Sequence, residues 1–311
     1  MKVCFVGVGS IGKRHIKNLV EICKNENEIL EIHLLRSSDR ELEEEIICHV
    51  KKTVLDIEQL DEKYDAVFVT NPTFKHYDTI KMFIEKTDIF FIEKPVFDRV
   101  DRDISCLLMK NKKYYVACPL RYTRVLLEAE KIIKQEQVFS ARAISSSYLP
   151  NWREGVDYRT TYSAHKEQGG GVKIDLIHEW DYLRALFGEP EKIYSLSGKY
   201  SNLEIDSEDL AVYIAKYPDK IIELHLDYFG KITRRNLEVR TSENEYIFDI
   251  AGGNILKNGK IFKKFEEKTN DKYKREMQFF YGIFKGTSET TNDLLHAVET
   301  IMIAEGVKKV E

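Results

Sequence analysis

The 311-residue sequence predicts an α/β fold in two parts. Residues 1–120 form a doubly wound parallel sheet, and residues 121–311 form an α+β half with a large, mainly antiparallel open sheet. Short apolar runs alternate with amphipathic stretches up to residue 120, whereas beyond it runs of period-2 alternation follow one another with few helices between. The composition, 43% hydrophobic and 32% charged, is that of a chain with buried cores rather than a disordered one.

In chain order, residues 3–6, 29–35, 66–70, 89–92 and 114–118 are the strands of the first half, and 11–23, 73–85 and 101–110 carry helical spacing. A helix over 125–135 then leads to strands at 138–148, 192–200, 210–217, 221–229, 236–241 and 245–250. One strong helix, 172–187, interrupts them, and two more, 272–284 and 292–309, close the chain.

With 48 basic against 52 acidic residues the net charge is -4 and the pI about 6.1, so no global field draws the chain to nucleic acid or anionic lipid. A phosphate-bearing ligand needs a local site. No stretch approaches the roughly 18 apolar residues of a membrane span. The five cysteines, Cys4, Cys23, Cys48, Cys106 and Cys118, form no CxxC pair, so neither a disulfide framework nor a zinc site is expected. A reducing cytoplasm and no bound metal fit that usage.

Gly7-Val8-Gly9-Ser10-Ile11-Gly12 directly follows the first strand and opens the first helix. Gly7 permits the tight turn, Gly9 lets a pyrophosphate approach the backbone, and Gly12 allows helix and strand to pack closely. The helix start, with Ser10 and Ile11, offers unpaired N–H groups to the phosphates. Cofactor choice is read where the second strand ends, in Arg36-Ser37-Ser38. A guanidinium fork and two hydroxyls suit the 2′-phosphate of NADP; NAD is the alternative, with Asp39 reaching the ribose.

Thr70, Asn71 and Pro72 end the third of these strands, with His76 one turn into the next helix, and Glu93-Lys94-Pro95 ends the fourth. Carboxyl ends of parallel strands are where open α/β sheets bind ligands. A lysine there can hydrogen-bond a substrate hydroxyl and favour its alkoxide.

Together with GVGSIGKRH and the later GGGVKIDLIH, these motifs resemble the Gfo/Idh/MocA family of sugar and polyol oxidoreductases, over the whole chain. The resemblance implies a Rossmann domain over 1–120 and a substrate-binding, oligomerising domain over 121–311. It also implies that Lys94 is catalytic, that the Lys94-Pro95 bond is cis, and that Asn71 and Pro72 line the nicotinamide side with Thr70, His76 and Glu93. Arg121 and Tyr122 match a family Y-N-x-R-F segment, written here Cys118-Pro119-Leu120-Arg121-Tyr122 without the asparagine.

Asp175 and His178, three residues apart at the start of the helix after the glycines, project from one face. The imidazole can move a proton near neutral pH, oriented by the carboxylate. The familiar family spacing is D-x-x-x-H; D-x-x-H is one residue shorter and closer to a DLSHE-type variant.

Residues 152–166 are dense in aromatics and cations, and Trp152, Arg153, Arg159 and Tyr162 suit a polar ring bearing a carboxylate or phosphate. The arrangement WRxGxDYRxxYSA resembles oxidoreductases of bacterial surface-polysaccharide sugars, including nonulosonic acid pathways. Arg121 joins these substrate-side candidates. The predicted reaction is reversible hydride transfer between a sugar carbinol and the nicotinamide, with His178 moving the proton and Lys94 stabilising the oxyanion. The alternatives are an NAD-dependent polyol dehydrogenase of inositol type and a non-catalytic NADP(H) sensor. Homodimers or homotetramers through the open sheet are implied by the resemblance, and neither GxSxG nor a metal cluster points to hydrolysis.

Overall fold

In the computed structural model, which describes residues 1–306, β1 (Lys2–Val6), α1 (Ser10–Asn25) and β2 (Glu31–Leu35) open the chain. There follow α2 (Glu44–Ile47), β3 (Val50–Val54), β4 (Ala66–Val69), α3 (His76–Phe83), β5 (Ile89–Ile92) and β6 (Lys113–Val116). The six strands form one parallel sheet in the order β3-β2-β1-β4-β5-β6. Strand order therefore reverses between β1 and β4, which creates a crevice at their carboxyl ends.

Strand β3 escapes the apolar pattern because it is an edge strand whose Lys51 faces water and whose Val54 is buried. The helix expected over 101–110 does not form. Asp103 instead accepts the Ser105 N–H at 2.9 Å, a local turn that competes with helical pairing.

Next come α4 (Arg124–Ile133), β7 (Val138–Tyr148), α5 (Val172–Asp175) and α6 (His178–Phe187). Thr123 caps α4 through its hydroxyl. The strands β8 (Lys192–Gly198), β9 (Leu210–Lys216), β10 (Ile221–Asp227), β11 (Phe229–Thr241), β12 (Glu245–Asp249), β13 (Asn254–Lys257) and β14 (Lys260–Lys264) complete a second sheet. Its order is β14-β13-β12-β11-β7-β10-β9-β8, antiparallel except for β7 with β10. Asn258 and Gly259 turn β13 into β14 with φ of 52° and 76°, the left-handed pair that a two-residue hairpin turn requires. The single helix expected over 172–187 is two, broken where Leu176 adopts φ -98° and ψ 28°.

Last are α7 (Asp271–Phe284) and α8 (Leu294–Glu305). Residues 307–309 of the helix expected over 292–309 lie outside the described residues. The chain divides into two compact units, the first combining Met1–Pro119 with Tyr273–Val298 and the second running from Leu120 to Lys272 and resuming at Glu299. The change of pattern at residue 120 coincides with the first division, while a segment of the expected 121–311 half returns to the first unit.

That return has a physical cause. Phe5, Phe68, Phe91 and Tyr115 sit at the same register of β1, β4, β5 and β6, so their rings form a row across the sheet. Phe5 stacks on Phe68 at 4.2 Å and Phe68 on Phe91 at 5.2 Å. Phe280 of α7 meets Phe68 and Phe91 edge-on at 5.2 and 5.1 Å and is fully buried. Among the described residues, no helix is long and apolar enough to cross a membrane.

Candidate active site

Each unit carries a constellation of its own. In the first, Gly7 adopts φ +88°, and a Cβ there would lie 2.7 Å from Asn71 Cα, so only glycine fits against the end of β4. A Cβ on Gly12 would lie 2.8 Å from the Gly7 carbonyl oxygen and 3.0 Å from Thr70 Oγ1. Thr70 donates its hydroxyl to that same carbonyl at 2.6 Å. Around Gly9, by contrast, the Cβ position is open to 4 Å in every direction, and both Gly9 and Ser10 are exposed at the start of α1. Two glycines thus close the turn while the third leaves a free approach to first-turn N–H groups that have no partner within a helix. This cradle, built from Gly7, Gly9, Ser10, Ile11 and Gly12, has the shape and the free N–H groups that fit a dinucleotide pyrophosphate.

The cradle is tied to β2 by the Gly7 N–H, which donates to Leu35 O at 3.0 Å, so Arg36 follows immediately beside it. Arg36 is half-buried and donates through Nη2 to the Arg40 carbonyl, while Ser37 and Asp39 are exposed and Ser38 half-buried.

At the neighbouring strand ends, Asn71-Pro72 follows β4, and Glu93-Lys94-Pro95 follows β5 with the Lys94-Pro95 bond cis. Histidine 76 does not face open space: it is 1% exposed, with Nε2 2.9 Å from Asn71 O and Nδ1 3.1 Å from Val96 O. Burial pushes its pKa down, against the opposing pull of the two carbonyls. His76 therefore braces the two loops instead of reaching a cofactor itself. Asn71 donates in turn to Thr79 Oγ1 at 2.8 Å.

Sequence reading passed over His15. Its Nε2 lies 2.5 Å from Glu93 Oε1, and Glu93 Oε2 accepts the Lys94 N–H at 3.2 Å. Burial alone would raise the Glu93 pKa, but the His15 bond and the charges of His15 and Lys94 outweigh it and hold the carboxyl below its usual value. The residue before Lys94 is thereby anchored to α1, the helix that carries the cradle.

In the second unit, Asp175 ends α5 and His178 begins α6, so the two lie on separate short helices and not on one helix face. Asp175 is 7% exposed, and its Oδ2 accepts the Tyr228 hydroxyl at 2.6 Å. Burial, followed by the charge of the same carboxylate, pushes the Tyr162 phenol pKa up. Trp152 packs edge-on against Tyr228 at 5.2 Å and donates Nε1–H to Ser147 Oγ at 2.9 Å. The structure thus brings Trp152, Tyr162 and Asp175 together around Tyr228, a residue with no sequence signal, 53 positions from Asp175.

The cations divide. Arg121 gives Nε and Nη2 to the Asp181 carboxylate at 2.8 and 2.7 Å, a largely buried fork that pins the start of α4 to α6. Arg159 forks onto Asp157 and reaches Glu204 at 2.5 Å. Arg153 is exposed beside Trp152.

A third grouping, Glu31, His33 and Asp61, has ligand atoms close enough for a metal but is already neutralised. Lys2 pairs with Asp61, and Lys52 lies 3.2 Å from it, at the amino end of β2 away from the cradle.

Residues 1–116 match the family model described as "Oxidoreductase family, NAD-binding Rossmann fold", and residues 126–245 match the "GFO/IDH/MocA C-terminal domain". An uncharacterized oxidoreductase of Synechocystis sp. is 24% identical over 160 residues, which is 50% of this chain but only 40% of that protein. Among solved structures, an oxidoreductase from Thermotoga maritima superposes with a TM-score of 0.81 at 18% identity, covering 100% of this chain and 96% of that one. The WlbA dehydrogenase from Bordetella pertussis, in complex with NADH and UDP-GlcNAcA, gives 0.74 at 15% identity over 99% and 95% of the two chains. Myo-inositol 2-dehydrogenase from Lactobacillus plantarum gives 0.76 at 17% over 99% and 96%. At such identities these likenesses establish the fold alone. The two domain matches, on a chain whose first unit carries the glycine cradle and the cis Lys94-Pro95 turn, show that it belongs to the Gfo/Idh/MocA family of oxidoreductases.

Proposed function

We propose that this oxidoreductase is an NADP-dependent dehydrogenase or reductase acting on a carbinol of an acidic or nucleotide-activated sugar. The observation that carries the reading is the open cradle at Gly9 beside the strand end bearing Lys94. When bound, the nicotinamide supplies the two-electron redox chemistry. Lys94 hydrogen-bonds the substrate oxygen and stabilises its developing negative charge. His178 takes or returns the hydroxyl proton, and the buried Asp175 carboxylate supports it.

Support for NADP comes from Arg36. Only one of its donors is engaged, with the Arg40 carbonyl, and among the described residues the rest of the fork has no acceptor to compete with a 2′-phosphate. NAD is the second reading, favoured by the exposed Asp39 in the same turn and by the NADH bound to WlbA. Fluorescence titration of the purified protein with NADPH and NADH tests both. NADPH binding at least tenfold tighter, with the preference abolished in Arg36→Ala, is the expected result; equal or NADH-favoured binding assigns NAD.

For the second unit we propose self-association in a dimer or tetramer through the outer sheet face. Tyr194, Leu196, Ile214 and Ile221 are 48–78% exposed there on neighbouring strands. Sedimentation equilibrium checks it, and a monomer at micromolar concentration overturns it.

A further inference from the structure

The loop before the glycines holds two arginines, and their surroundings differ. Arg159 is saturated: Asp157 takes its Nε and Nη2 at 2.9–3.1 Å, and Glu204 takes Nη1. With two carboxylates against one guanidinium, that cluster carries one net negative charge and repels an arriving anion. The other cations between residues 152 and 173 are likewise committed. His165 lies 3.8 Å from Asp206, Lys166 4.0 Å from Glu208, and Lys173 2.6 Å from Glu305.

Arg153 alone in this segment has no carboxylate in ion-pair reach among the described residues, and it donates no hydrogen bond to the protein. It lines a narrow cleft with Trp152, Tyr158 and Thr161. Its positive charge is felt at the Tyr162 hydroxyl, as is the negative charge of Asp175. An unneutralised guanidinium therefore stands beside an exposed indole and two hydroxyl-bearing side chains, near Tyr162, on which the carboxylate proposed above to support His178 also acts. A fork of donors with no protein acceptor, set beside an aromatic face, matches a sugar ring that carries an anionic group.

We propose that Arg153 is the residue that recognises the anionic group of the substrate, a sugar-borne carboxylate or a phosphate, and that Arg159 instead fixes the shape of the loop. The assignment of this cluster to the substrate rests on the function proposed above. Carboxylate and diphosphate offer the same chemistry to a guanidinium, so the test separates them.

Calorimetric titration of the full chain with D-glucuronate, with UDP and with uncharged D-glucose provides it. Wild type is expected to bind one of the two anions at least tenfold more tightly than D-glucose. Glucuronate binding assigns a sugar carboxylate, and UDP binding assigns the diphosphate. Arg153→Gln is expected to weaken that anion at least tenfold, Arg153→Lys to recover part of the loss, and Arg159→Gln to change it less than threefold. Equal anion affinity in wild type and Arg153→Gln overturns the proposal. So does an equal loss in Arg159→Gln, or a wild type that prefers neither anion to D-glucose. Thermal midpoints of all variants exclude unfolding as the cause of a loss. Titration of the same samples with NADPH and NADH keeps the two readings apart: anion binding through Arg153 without cofactor binding sinks the dehydrogenase reading and leaves this one standing.

Discussion

The Tyr228 hydroxyl donates to Asp175 Oδ2 at 2.6 Å, joining the sheet to the last residue of a four-residue helix. Tyr228 is fully buried and Asp175 nearly so, which makes this a charge-assisted bond away from water. Tyr228→Phe keeps the ring and removes the donor. It should lower unfolding free energy by about 1.5–3 kcal/mol, read as a fall in the urea midpoint at unchanged slope. A loss below about 0.5 kcal/mol would mean that the carboxylate is satisfied without the Tyr228 hydroxyl.

Gly12 and Gly9 of the cradle should respond oppositely to alanine. Gly12→Ala forces a methyl to 2.8 Å from the Gly7 carbonyl and should displace α1, lowering both thermal stability and NAD(P)H affinity. Gly9→Ala meets no protein atom within 4 Å, so its melting temperature should stay near wild type. Its NAD(P)H affinity should nevertheless fall by about tenfold or more, because the methyl occupies the phosphate approach. Equal affinity of Gly9→Ala and wild type in a fluorescence titration would place the pyrophosphate elsewhere.

The His15–Glu93 contact predicts a pH dependence. Glu93 titrates below the usual 4.5 in the folded state, so the folded protein holds this proton less readily than the unfolded chain. The pair's contribution is therefore complete above pH 4.5 and is lost as pH falls through the lower folded value. Glu93→Gln should be less stable than wild type at neutral pH by about 1–3 kcal/mol, since a neutral amide replaces the charged acceptor that faces His15. Urea unfolding of the two proteins at about pH 6 and about pH 3 should show the gap narrowing in acid.

Arg121 offers a contrast with Arg153. Its fork onto Asp181 is only 12% and 9% exposed on the two sides. Arg121→Met should cost about 3–5 kcal/mol by stranding the carboxylate, and Arg121→Lys should recover less than half because an ammonium cannot reproduce the fork. Denaturant unfolding measures both. A surface-like cost under about 1 kcal/mol would return Arg121 to the substrate side.

The glycine turn and the two strand-end turns were legible because each is a local string placed by an adjacent strand, whereas the single helix face expected for Asp175 and His178 is broken at Leu176. Strand β3 and the hairpin β13–β14 were not legible, since their lysines blur an alternation that only the edge of a sheet tolerates. Asn258-Gly259 was nonetheless a readable turn signal. Partnerships across long separations stayed hidden. Nothing local to Tyr228 announces Asp175, and nothing local to Arg121 announces Asp181, so a cation that fills an internal pair reads in sequence like one waiting for a ligand. His15 and His76 misled in the same way: a histidine near a motif was taken for a ligand contact or passed over, when each is a buried brace.

Phe280 closes the aromatic row of Phe5, Phe68 and Phe91, yet it is synthesised more than 150 residues after the strand that carries Tyr115. During translation the parallel sheet emerges complete in its strands while one face still lacks its covering helix. The whole second sheet, up to Lys264, leaves the ribosome before that helix does. The nucleotide-binding unit is thus not a detachable module: a fragment ending near residue 120 exposes a greasy aromatic stripe and should aggregate, and the order of maturation runs against the order of the chain.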